Sequence, residues 1–552
     1  MTKRTKKILR IILISFTALL LLATGVIWYA ASNVEKLVKY ALIEEVDKSS
    51  NGLYKLQMDD LDISITNGTL QIDNISIAVD SSKLYQLELK DESPGYTISF
   101  MAKTLQVDVN KLFRIRKGGK LDISRISFEE PTINLFSHNV KQKDYSQNTN
   151  RSKSYELPFF GSIAIGKVEL LNGSIGYHNQ KGKSGEIYSI NNFLLELNNI
   201  AVDSFINIQN PLIHVGDAFL EANNIHHYML DSALLFKVKK LAANLKKSQV
   251  AIDSLAITPQ YEKYEFARKT PNHNDIMDLA VRKVTLSGIH FNELIEYKRL
   301  VIDSIMVDSL SFWSFKNKQI PPVIPKEKPL FHQLVHRIKF PILVASITAS
   351  NSKASYEELS LNGESPGKID FTDLSLAVKG LTNIPSDTSS FYTAKGQGKL
   401  YGKGTVEATF RFPIDSLNDY FEVNGHFGKM DLMAINQMVT PLAFVKITSG
   451  AIQRMDFSIS GSSKRAKTAM TFLYNDLKVE ILNANKEKHK KRKFLSGVVN
   501  TLLIKSSNPS GNHAPRKVTA AASERDRFLS NFNYWWRGIR EGLLSSIGIP
   551  GK

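Results

Sequence analysis

Three observations predict a mainly β chain. Apolar and polar residues alternate in short stretches over most of its length, as at Leu61, Ile63 and Ile65, then Ile75, Ile77 and Val79, then Leu105, Val107 and Val109. Much of this pattern occurs twice: LDISITNGTLQIDNISIAV from Leu61 to Val79 returns as LAANLKKSQVAIDSLAITP from Leu241 to Pro259, an offset of 180 residues. Further matches, at an offset of 179, carry Leu121 onto Leu300 and Tyr177 onto Tyr356. No region alternates strands with helices as a doubly wound sheet requires. Each copy therefore reads as a multi-strand unit.

The chain begins with a basic flank (1–10), followed by the uncharged run Ile11 to Ala31. That run is about 20 residues, enough for roughly 30 Å of helix, so a transmembrane anchor is expected. Because the positive flank precedes it, the N-terminus is expected in the cytoplasm and the bulk of the chain on the far side of the membrane. Next comes an amphipathic helix (32–53), with Val34, Leu37, Val38, Ala41 and Leu42 at helical spacing. Strands take over from there, in a first β repeat unit (54–235), a second (236–420) and a C-terminal β region (421–482). The polar loop Lys141 to Ser154 in the first copy has its counterpart in the proline-rich Gln319 to Lys328 of the second, which favours an extended connection.

The tail (483–552) opens on the basic run KEKHKKRK from Lys486 to Lys493. It ends in a helix candidate from Glu524, with Phe528, Phe532, Trp535, Trp536, Ile539 and Leu543 at steps of three and four and arginines at the flanks. Such a face suits a membrane interface.

With 552 residues and 43% hydrophobic content, the chain is too long for one ordinary compact domain. The net charge of +18 points to an acidic partner. A tail that follows a membrane anchor favours an anionic lipid surface, and nucleic acid is not expected. Absence of cysteine excludes disulfides, thiolate nucleophiles and Cys-ligated metals.

Little else carries chemistry. His332 and His336 lie four apart without the Glu of an HExxH zinc motif, and the Gly396–Gly404 run fits no phosphate loop. Tripeptides such as Asp253-Ser254-Leu255 and Asp308-Ser309-Leu310 look like a bacterial O-glycosylation motif, although Asp-Ser at strand ends also accounts for them. No catalytic residue, metal or cofactor is assigned, and the chain reads as a non-enzyme.

The anchor, the long succession of strands and the amphipathic tail resemble the AsmA-like family of bacterial envelope proteins. The resemblance is carried best by FEVNGHFGKMDLMAINQMVTPLAFVKITSGAIQRMDFSISG (Phe421 to Gly461), YNDLKVEIL, NTLLIKSSNP and ERDRFLSNFNYWWRGIREGLLSSIGI. It implies an elongated, U-shaped, taco-like antiparallel sheet enclosing an apolar groove, similar to the bridge-like lipid transfer proteins. It further implies a single-pass protein of the bacterial inner membrane, mostly periplasmic, that conducts phospholipid between inner and outer membranes without a cofactor.

Ile63, Ile77, Ile123, Leu376, Phe410 and Ile459 are expected to line the groove, each on the apolar face of its strand. Phe528, Phe532, Trp535, Trp536, Ile539 and Leu543 are expected to dock on the outer membrane or on an envelope protein. The alternatives are a non-transporting envelope assembly or structural factor with a filled core, which binds outer-membrane proteins, and a secreted β-solenoid hydrolase with a polar cleft of carboxylates. Groove and filled core share one alternating pattern.

Overall fold

The computed structural model describes residues 34–549 except 65, 91, 111–118, 139–154, 157–159, 180–185, 204, 207–212, 272–274, 322, 325, 386–390, 416–418 and 483–503. The expected anchor Ile11–Ala31, the Lys141–Ser154 loop and the basic run Lys486–Lys493 lie outside the described residues. Among the described residues no helix is long and apolar enough to cross a membrane. The chain is mainly β and divides into two compact units. The first takes residues up to Tyr228 together with Lys237–Lys246; the second takes Met229–Phe236 and everything from Lys247.

The first unit contains β1 (Tyr54–Gln57), β2 (Leu61–Ser64), β3 (Thr69–Val79), β4 (Tyr96–Val109), β5 (Gly119–Glu129) and β6 (Thr132–Ser137). It continues with β7 (Tyr155–Glu156), β8 (Phe160–Asn179), β9 (Glu186–Asp203), β10 (Phe205–Ile206) and all but the last residue of β11 (Ile213–Met229), while β12 (Leu234–Asn244) is shared between the units. β1 and β2 both pair with β3, β3 with β4, and β4 with β5 and β6. β5 and β6 both pair with β8, which pairs with β9, which pairs with β11. β7 and β10 form a separate small ladder.

The second unit holds β13 (Gln249–Pro259), β14 (Asp275–Ile289), β15 (Leu300–Asn317), β16 (Ile342–Leu359), β17 (Gly367–Thr382) and β18 (Phe391–Leu400). After these come β19 (Gly404–Pro413), β20 (Phe421–Phe427), β21 (Met430–Asp431), β22 (Val445–Gly461), β23 (Arg465–Ile481) and β24 (Val518–Glu524). They pair in chain order, with β20 and β21 side by side along β22.

The antiparallel expectation is corrected: the pairing is mixed. β5 and β6 run parallel to β8, and β15 runs parallel to β16. A parallel return needs a crossover of about a dozen residues or more, and the stretches 138–159 and 318–341 are both long enough. The two crossovers are related by the repeat. Leu121 pairs with Ile163 in one unit and Leu300 with Ile342 in the other, each position shifted by 179.

Left-handed backbone recurs with the same period. Positive φ occurs at Asn74 and Ser254, Glu130 and Ser309, Asn172 and Asn351, Asn192 and Asp373, and Asn199 and Gly380, each pair 179 to 181 residues apart. The reason is readable in the apolar spacing. In a regular strand, residues three apart face opposite ways, yet Ile72 and Ile75, on either side of Asn74, are both buried in one core. A kink at the intervening residue restores the apolar phase, and Gly, Asn and Asp tolerate the required φ better than most residues. Ser254 and Ser309, within Asp253-Ser254-Leu255 and Asp308-Ser309-Leu310, occupy such positions. Replacing the exposed Asn172 by Ile should lower stability by about 1–2 kcal/mol, read as a shift of the urea midpoint, whereas Asn172→Gly should be nearly neutral. Equal tolerance of both would show that this φ is not under strain.

Each unit carries an extended apolar face. In the first, rows such as Leu61–Ile72–Leu105–Phe128–Leu170–Leu195 cross successive strands. The opposite face is a polar ladder, with Arg125 joined to Asp108 at 3.0 Å and Lys167 to both Glu169 and Glu196. The helix Val34–Ser49 lays Val38, Leu42 and Val46 over the apolar face and completes its burial at the β1–β3 end. Farther along, Leu170, Leu197 and Val215 are only half-buried.

Candidate functional site

The apolar face of the second unit is the candidate site. Its central row takes one residue from each strand, running from Val250 through Leu286, Ile305, Ile347 and Val378 to Ala394, Phe410, Val423 and Ile459. Shifted by one residue, the row on the other face reads Ser287, Ser304, Ser346, Lys379, Thr393, Arg411 and Glu422. A period of two thus separates an apolar face from a wet one across the seven strands that both rows share.

Burial along this face is uneven. From β18 to β23 it is a dense core containing Tyr392, Phe412, Val423, Ile459 and Met470. Toward β13 the same rows are half-covered: Val250, Leu286, Ile305 and Ile347 are half-buried, and Leu376 is 39% exposed. Helices over the dense part account for the difference: Asn436–Ala443, whose Val439 packs on that core, and two others.

The crossover between β15 and β16 carries the helix Phe331–His336, and the chain ends on the helix Asn531–Ser546. Ser530 caps the C-terminal helix, its hydroxyl accepting from the Asn533 N–H. This helix sits close on β23 because Gly538 and Gly542 face the sheet. A Cβ at Gly538 would lie 2.8 Å from Thr468 Oγ1, and one at Gly542 would lie 2.8 Å from Met470 Cε. Beside these glycines Trp535, Ile539 and Leu543 pack on the core.

The structure brings two sets of expected site residues together: Phe410 lies 4.8 Å from Trp535, ring to ring, and Ile459 lies 3.5 Å from the Cβ position of Gly538. Phe331 of the crossover helix touches both Phe532 and Trp535. The tail aromatics do not all share one fate. Trp535, Ile539 and Leu543 meet the sheet, while Phe528, Phe532 and Trp536 are exposed, Phe532 to 66%. Among the expected groove residues of the first unit, Ile123 is fully buried and Ile63 and Ile77 pack half-buried on the same core.

The seam between crossover and tail is polar and partly buried. Arg525 donates to the Lys328 carbonyl, and Asn531 Nδ2 donates to the Pro329 carbonyl at 3.0 Å. His332 is 1% exposed, and neither ring nitrogen has a hydrogen-bond partner among the described residues. Burial first, then the neighbouring His336, pushes its pKa down to about 4. His336 Nε2 lies 3.0 Å from the Ile414 carbonyl oxygen. Among the described residues no cluster of three or more His, Asp or Glu could hold a metal ion.

Three features escaped sequence reasoning. The small-residue pair Gly538 and Gly542 was the available signal for the helix's sheet-facing side. β24 gave no clean alternation, and the helix Ser81–Leu89, capped by Asp80, was hidden between strands. The Gly396–Gly404 run forms the end of β18, a turn with Gly402 in left-handed backbone, and the start of β19.

Comparison with protein-family models and with curated proteins gives no match.

Proposed function

We propose that this is an inner-membrane-anchored, periplasmic protein that conducts phospholipid between inner and outer membranes, with acyl chains held against the apolar sheet face and head groups in water. The observation that carries the reading is the half-covered part of that face, from β13 to β17, where a continuous apolar row including Leu286, Ile305 and Ile347 stays accessible. Hydrocarbon against these residues removes apolar area from water at roughly 25 cal/mol per Å², so a lipid tail is a fitting occupant. No chemical step is required of the protein. Ile11–Ala31 would hold it in the inner membrane, and the exposed Phe528, Phe532 and Trp536 would face the outer membrane or an envelope protein.

One observation favours the second reading, a non-transporting assembly or structural factor. The C-terminal helix fills the apolar face over β22 and β23 much as a core would.

A single strand tests the choice. Leu376 lies on the apolar face of β17, and its neighbour Ala377 lies in the opposite row, paired with Lys395. Leu376→Asp should slow phospholipid transfer between vesicles about tenfold, because a carboxylate along an acyl path is costly without a partner, whereas Ala377→Asp should transfer normally. Equal transfer by both folded variants would remove the conduction reading.

A further inference from the structure

The apolar face of the second unit is not symmetric from one strand end to the other. At one end Ile289, Ile302 and Val344 lie in register and pack with Phe291, so the face is apolar to its margin. At the other, the row Leu279–Phe312–Ala354–Phe371 is followed by Met277–Ser314–Tyr356–Ile369 and then by Asp275–Lys316–Glu358. These last rows belong to the same face, since Ile369 and Phe371 pack on the core that holds Val378 and Phe412.

The charged row gathers three lysines around two carboxylates. Lys316, its side chain 13% exposed, sits 3.3 Å from Asp275 Oδ1, and Lys328 from the crossover reaches Asp275 Oδ2. Lys318 lies 2.6 Å from Glu358 Oε1, while the Tyr356 hydroxyl donates to Glu358 Oε2 at 2.8 Å. Burial alone would raise the Asp275 carboxyl, but Lys316 and Lys328 outweigh it and hold it below the usual carboxylate range. Burial pushes the Tyr356 phenol well up, so it remains a donor. The cluster therefore keeps one positive charge in excess, and each ammonium has three N–H donors to place.

We propose that Lys316, Lys318 and Lys328 form a phosphate-binding rim, which takes the head-group phosphate of an amphiphile whose hydrocarbon lies along β15 toward Ile302. This rests on the lipid reading above and adds an orientation to it. From Phe312 back to Ile302 the strand covers about 33 Å, more than the acyl layer of one bilayer leaflet, which is about 15 Å. Tails therefore fit between the rim and the apolar margin, and heads are retained at the charged end. A plain ion-pair network would hold the strand ends together without preferring a phosphate.

The test titrates the full chain in non-ionic detergent with dihexanoyl phosphatidylglycerol, dihexanoylglycerol and inorganic phosphate, for wild type, Lys316→Met and Lys316→Arg. Lys395→Met, on the opposite face, is the control. Loss of one charge-assisted contact should weaken the phospholipid about tenfold in Lys316→Met, with dihexanoylglycerol unchanged and Lys316→Arg close to wild type. A parallel loss for both lipids, or no loss for either, overturns the rim. Inorganic phosphate bound as tightly as the phospholipid would show a free-anion site and overturn the lipid orientation. If wild type binds neither lipid, the conduction reading fails by itself; inorganic phosphate binding that disappears in Lys316→Met then upholds the anion rim, and no such binding overturns it.

Discussion

Gly538→Leu should release the C-terminal helix from the sheet. Its glycine stands where a Cβ would already lie 2.8 Å from Thr468 Oγ1, and Thr468 is fully buried, so a larger side chain has no room to turn. The cost should be about 3 kcal/mol, the upper range for overpacking, and seating of Trp535, Ile539 and Leu543 should be lost with it. Tryptophan emission should then shift to the red at unchanged strand content, since Trp535 would move from the Phe410 ring into water. A smaller pair of changes isolates the contact. Gly538→Ala gains about 1 kcal/mol of helix propensity and meets the same oxygen, whereas Gly538→Ala with Thr468→Ala keeps the gain and removes the clash. The double variant should be more stable than the two single changes predict. Additive effects, with wild-type emission in Gly538→Leu, would show that the helix does not depend on this approach.

Acidification should loosen the seam between crossover and tail. The His332 imidazole is held neutral in the folded chain down to about pH 4, against 6.5 when released, and burial is the chief cause. Its charged surroundings are His336 on its own helix, Asp419, whose carboxylate Ser463 holds low, and Arg525 from the tail. Above pH 6.5 both forms are neutral and His332 contributes no pH dependence. As pH falls below 6.5 only the released form takes up a proton, so stability is lost progressively until the folded form also protonates near pH 4. The loss should reach roughly 2 kcal/mol by pH 5 and roughly 3 kcal/mol by pH 4. Urea midpoints at pH 7 and pH 5 for wild type and His332→Leu measure it. The variant should lose that part of the dependence and be at least as stable at neutral pH, because it buries no unpaired ring nitrogens. Identical pH slopes would show that His332 is not the titrating group.

Much of this architecture was legible in the chain itself. Alternation of period two set which residues of each strand are apolar, and the recurrence of that pattern near 180 residues anticipated the matching registers Leu121–Ile163 and Leu300–Ile342. Even the kinks leave a trace, as apolar residues three apart with Asn, Ser, Asp or Gly just before the second, at Ile72 and Ile75 or Phe371 and Leu374. Those are local properties, fixed by backbone sterics and side-chain polarity.

Strand direction was not local. Whether β15 and β16 run parallel depends on where the crossover 318–341 lays its helix, and composition alone left that return open. Nor could helical spacing decide what the tail's aromatic stripe would meet. The sheet accepts the helix only through the small side of Gly538 and Gly542, and that steric choice sends Trp535 to Phe410 and leaves Phe532 in water. The charged rim is of the same kind: Asp275, Lys316, Lys328 and Glu358 lie on four separate segments, and only strand register and the crossover bring them within reach of one another. Sequence alone determined the two faces of each strand, because a side chain's polarity and its place in a period of two are carried by the chain; what covers each face was decided by the tertiary structure, because that depends on which surfaces fit.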